Sequence, residues 1–90
     1  MVILKPLDGG TVMPIKIADR IEVDSQVHHG KPVIAGTRVP VDMVLGLLSN
    51  GLMSEEIIRD YYEHITREDD LACIRYAKSL VEEEEVYAVG

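Results

Sequence analysis

The spacing of apolar residues changes once along this chain, and the change divides it into an extended half and a helical half. Before residue 40 apolar residues alternate with polar ones or stand in β-branched pairs: Ile15 and Ile17, Ile21 and Val23, then Val33-Ile34. A period of two belongs to strands with one covered face. From Val41 onward, Val41, Val44, Leu45 and Leu48 fall at i, i+3, i+4 and i+7, on one face of a helix.

In the extended half, Val2 to Leu4 and the alternating Met13, Ile15 and Ile17 predict a hairpin around Asp8-Gly9-Gly10. Pro6 and Pro14 restrict its arms to sheet edges. Ile21 and Val23 predict the next short strand, and Asp24-Ser25 a turn. The stretch Gly30 to Val41, GKPVIAGTRVPV, then reads as a tight hairpin: Val33-Ile34 goes out, Gly36 supplies a positive φ, and Arg38-Val39 returns. Pro40, which has no N–H to donate, closes it before a helix.

The helical half divides at its caps. A first helix over Asp42 to Asn50 ends at Gly51, the residue type that enters the left-handed conformation at least cost. Ser54 is read as the cap of a second helix over Glu55 to Tyr62, with Glu55 and Glu56 complementing its dipole and Met53 stapled against Ile58. Val44, Leu45, Leu48, Ile57, Ile58 and Tyr61 are the expected core of this helix pair. Thr66 caps a third helix, with Glu68, Asp69 and Asp70 in its first turn and Leu71, Ile74, Ala77 and Val81 as its core stripe. The run Glu82 to Glu85 opposes the dipole at that helix's end and predicts fraying. Val86 to Val89 reads either as a frayed tail or as a strand added to another chain. This gives an extension over 1–19, a domain over 20–81 and an acidic tail over 82–90.

Composition narrows the function. The chain has 90 residues, no Phe or Trp and four Tyr. A domain of that size buries roughly 60–65% of its extended surface, so covering apolar area with a second copy is expected, as a homodimer. The lone Cys73 excludes an intrachain disulfide and suits a reducing compartment; its spacing from Ala77 and Leu80 makes it a core thiol. Val2-Ile3-Leu4 stops at Lys5-Pro6, too soon for a signal peptide, so a cytoplasmic protein without membrane contact is expected. A net charge of −7 argues against a general nucleic-acid coat, while leaving room for a local basic patch or a basic protein partner.

No enzymatic signature stands out. His28, His29 and His64 lack metal-ligand spacing, and adjacent histidines on an extended chain face opposite ways. Ser25 and His28 have no third member, and GKP is not a phosphate loop. No cofactor or catalysis is expected. Two short helices around a glycine turn have helix-turn-helix dimensions. Yet Glu55, Glu56, Asp60 and Glu63 surround Arg59 on the second helix and oppose entry into a DNA groove. Lys31 and Arg38 are read either as anion contacts, to DNA phosphate or partner carboxylates, or as structural groups, with Arg38 paired to Asp42 or Asp24 and the Lys31 stem covering apolar surface. Arg67, Arg75 and Lys78 are either a modest basic stripe or ordinary salt-bridge partners, the latter preferred.

The segment Ile21 to Tyr76 resembles the bacterial and archaeal family called domain of unknown function 433. The likeness rests on GKPVIAGTRVPV (Gly30, Lys31, Pro32, then Gly36, Thr37, Arg38 and Pro40), on Gly51 with the SEEII that follows, and on ITREDDLACIRYA. Two departures stand out: His28-His29 before Gly30, and Tyr61-Tyr62 where a Tyr-Pro pair is common, so that the second helix is free to run longer. The resemblance implies a mainly α (α+β) fold of homeodomain-like helix-turn-helix type, three helices with an N-terminal β-hairpin region. It also implies an antitoxin similar to the VapB type, which binds a PIN-like nuclease toxin and operator DNA. A stand-alone DNA-binding regulator, or a structural homodimer without DNA binding, is the alternative.

Overall fold

A computed structural model describes residues 14–83. Three short strands, β1 (Ile15–Ala18), β2 (Ile21–Val23) and β3 (Val33–Ile34), precede three helices, α1 (Val41–Ser49), α2 (Ser54–Asp60) and α3 (Arg67–Glu83). The strands form an antiparallel sheet in the order β1-β2-β3. The fold is α+β and mainly helical.

The expected hairpin arm Val2 to Leu4 lies outside the described residues. Its other arm, β1, pairs with β2 through a turn at Asp19-Arg20, with Arg20 at φ 63° and a register shift between Lys16 and Ala18. Residues on both sides of position 19 therefore share one sheet.

Around β3 the GKPVIAGTRVPV reading holds in backbone detail. Ile34 N–H donates to Val39 O at 3.0 Å, Val33 bridges Pro40, and Val41 N–H donates to Pro32 O at 3.0 Å. The return is thus a bridge and two hydrogen bonds rather than a regular strand. Thr37 holds the turn: its hydroxyl donates to Ile34 O at 2.8 Å and accepts from Val39 N–H at 3.0 Å. Gly36, at φ +76°, donates its N–H to Glu22 Oε1 at 3.0 Å.

Gly51 ends α1 as expected, at φ +91°. Its N–H bonds Leu48 O at 3.0 Å and the Leu52 N–H bonds Leu47 O at 3.2 Å, the paired closure of a Schellman motif. Thr66 caps α3 reciprocally: Asp69 N–H donates to Thr66 Oγ1 at 3.2 Å, and Thr66 N–H to Asp69 Oδ2 at 3.0 Å.

Five expectations are corrected. Ser54 is the first residue of α2, not its cap; Met53 occupies the cap position, where its N–H donates to Glu56 Oε1 at 3.0 Å, and Met53 is too exposed, at 64%, to staple. α2 stops at Asp60, so the missing proline does not lengthen it. Tyr61 is exposed and Tyr62 packs on the core instead. The stripe Leu71, Ile74, Ala77 and Val81 does not face the core; Ile74 and Val81 are exposed, and the buried face of α3 carries Asp70, Ala72 and Cys73.

The core gathers Ile21 and Ile34 from the sheet, Val39 and Val41 at the junction, Val44, Ile57 and Ile65, and Ala72 and Cys73 from α3. Leu45, Leu48 and Ile58 are partly buried against it, so five of the six expected helix-pair residues belong there, Tyr61 excepted. Among the described residues no helix is long and apolar enough to cross a membrane.

Candidate functional site

The hairpin turn and the start of α1 border an open, shallow cleft of about 430 Å³, lined by His28, Lys31, Arg38, Pro40, Asp42, Met43 and Tyr62. Each wall has a local cause. His28, His29 and Gly30 take three consecutive positive φ values, 48°, 55° and 81°, so the backbone coils left-handed. The two histidines are therefore not on an extended chain, contrary to expectation. This coil carries His28 back to the hairpin, where its Nε2 donates to Arg38 O at 2.8 Å.

On the second wall the tie between Val41 N–H and Pro32 O fixes where α1 begins, and Pro40 has no side-chain donor or acceptor to cap it. Asp42 and Met43 occupy that first turn beside the cleft. Tyr62 closes the third side from the α2–α3 connection, held by its N–H to Ile57 O at 2.9 Å.

The charges pair differently from either sequence reading. Lys31 Nζ, not Arg38, approaches Asp42 Oδ2, at 3.6 Å with both side chains largely exposed. Arg38 has no acidic partner among the described residues. An exposed pair such as Lys31–Asp42 adds little stability, so its effect is on the charge presented to a visitor.

Lys31, Arg38 and Pro40 of the hairpin motif line the cleft, whereas Gly36 and Thr37 build its backbone support. The other candidate cations lie outside it. Arg59 grips Asp60 through two bonds of 2.8 Å, holding that exposed carboxyl below its ordinary range. Arg75 reaches Asp19 at 3.5 Å, and Lys78 pairs with Glu82 one turn along the helix. Arg67 has no acidic partner among the described residues. A further pair, Arg20 with Asp69 at 3.1 Å, joins the sheet to α3. No grouping of three or more His, Cys, Asp or Glu that could hold a metal occurs among the described residues.

Sequence reasoning missed one buried polar group. Asp70 is 1% exposed; its Oδ2 accepts from Ser54 Oγ at 2.5 Å, while Oδ1 has no partner. Burial raises its affinity for a proton, against the opposing Ser54 hydrogen bond, and the charge of Asp69 adds to the rise. Its signal was available: Asp70 stands one helical turn before Cys73, the expected core thiol, and that spacing puts the acid on the core side. Cys73 is fully buried, and that burial, with the neighbouring Asp70 and Asp69 charges, pushes its thiol up to about 12.

The profile of the family described as Protein of unknown function (DUF433) matches residues 21–77, from β2 through most of α3. The chain belongs to that family. Neither a curated protein nor a solved structure matches it. In this DUF433 domain the matched span contains every residue lining the cleft.

Proposed function

We propose that this DUF433 protein is an antitoxin-like interaction module: a cytoplasmic, non-enzymatic homodimer that binds and silences a PIN-like nuclease. The observation that carries the protein-partner reading is the pairing of its surface cations. Arg59, Arg75 and Lys78 each meet an acid of the same chain, and α2 adds Glu55 and Glu56 at its leading end. DNA binding draws on unpaired Lys and Arg that displace counterions, and this surface offers few. Operator binding through the helices is the second activity such a module would carry, with Arg67 as its least encumbered cation.

The homodimer reading draws its support from α3. Leu71, Ile74 and Val81, with Lys78 between, repeat at alternating steps of three and four, and Ile74 and Val81 are 43% and 67% exposed. A seam of that period suits a second helix of the same kind. Co-expression with the product of the adjacent gene tests the reading: a stable complex with suppressed ribonuclease activity is expected. The regulator alternative replaces it if no complex forms and the protein alone shifts its upstream DNA with steep salt dependence.

A further inference from the structure

We infer that the cleft between the hairpin turn and the first turn of α1 receives a carboxylate-bearing apolar segment of a protein partner, with Arg38 as its charge contact. The inference rests on the interaction-module reading but not on the partner being a nuclease.

Charge selects the class of ligand. Lys31 and Arg38 set against Asp42 leave one positive charge, and the Lys31–Asp42 contact of 3.6 Å occupies two of those three groups with each other. A single carboxylate matches that surplus. Free phosphate or a phosphomonoester carries more charge than one guanidinium answers, and that excess would add to the repulsion from the Asp42 carboxylate across the cleft. The planar guanidinium also presents paired N–H donors that fit the two oxygens of a carboxylate.

The remaining lining sets the rest of the ligand. Met43 and the half-buried Tyr62 offer apolar surface beside the buried Pro40, and Met43 is 51% exposed, with an unbranched thioether that adapts to differently shaped side chains. About 430 Å³ lies within the range of small-ligand pockets and accommodates a side chain with its flanking backbone. The Arg38 backbone is held in place by His28 Nε2 at 2.8 Å and by the Thr37-bridged turn, which lowers the ordering cost on binding.

The test is a titration of the full chain, followed by backbone amide resonances, with N-acetyl-leucine, N-acetyl-leucinamide and inorganic phosphate as probes. N-acetyl-leucine should shift the amides of Lys31, Arg38, Asp42 and Met43. Its affinity should fall about tenfold or more when the carboxylate is replaced by the amide or when Arg38→Gln removes the cation, roughly the loss of one charged hydrogen bond. Asp42→Asn should preserve that binding and raise the response to phosphate. Because Arg38 is exposed, resonances away from the cleft report that R38Q remains folded. Absence of shifts at the cleft, equal response to acid and amide, or preference of the unmodified chain for phosphate each overturns the inference, the last in favour of nucleic acid. A carboxylate response without nuclease co-purification sinks the nuclease assignment and leaves the cleft standing.

Discussion

Ser54 and Asp70 fasten the second helix to the third: the serine hydroxyl, at the first residue of α2, donates across the junction to the Asp70 carboxylate at 2.5 Å. The residue that resembles a cap is spent on a tertiary contact. Ser54→Ala should cost about 1–3 kcal/mol, because it strands a buried acceptor. Ser54→Asp separates the two roles: it strengthens a genuine cap but sets a second carboxylate against Asp70, so a further loss is expected. Urea unfolding of both variants checks this, and a stabilised S54D would restore the capping role.

The same carboxyl makes stability depend on pH. Asp70 holds its proton more tightly in the folded chain than in the unfolded one, whose carboxyl titrates near the ordinary 3.8. Its stabilising contribution is therefore complete below that value and is lost as pH rises through the elevated folded value. Asp70→Asn lacks this loss. Urea midpoints of wild type and D70N should diverge in favour of the variant as pH rises above the ordinary carboxylate value of 3.8; parallel curves would remove Asp70 as the cause.

Two glycines of the first helical hairpin should respond to alanine with opposite signs. Gly46 lies inside α1 with nothing within 4 Å of an added Cβ, so Gly46→Ala should stabilise by about 0.5–1 kcal/mol. Gly51 holds φ +91°, and Gly51→Ala should destabilise by about 1–2 kcal/mol. Thermal melting of the two variants gives the comparison directly.

Cys73 should be inert while the chain is folded. Its side chain is fully buried and its thiol is pushed up to about 12, so both access and thiolate are lacking. Labelling with a chromogenic disulfide should proceed only at the rate of opening and become immediate in denaturant. Rapid stoichiometric labelling of the native protein would contradict this burial.

What the sequence made legible was local. Gly36, Gly51 and Thr66 act through backbone bonds to residues a few positions away, and each sits where residue type alone put it. Ser54, Tyr61 and the α3 stripe escaped because their roles depend on which neighbour arrives from elsewhere. Ser54 met Asp70, and Tyr62 rather than Tyr61 turned inward where α2 ends. On α3, Leu71, Ile74 and Val81 outweigh Ala72 and Cys73 in apolar bulk, yet the smaller pair faces inward, where the sheet and α1 approach closely. The cleft was half legible: Lys31 and Arg38 were singled out, but Met43 and Tyr62 come to it only through tertiary packing.

The two residues of β3 are gripped from both edges, by β2 on one side and on the other by the chain about to become α1. Among the described residues the sheet and the start of α1 are thus joined through one strand. Losing Val33–Ile34 releases the register of the outer strands and the starting point of α1 in the same event, so ribbon and helices are expected to melt as one cooperative unit.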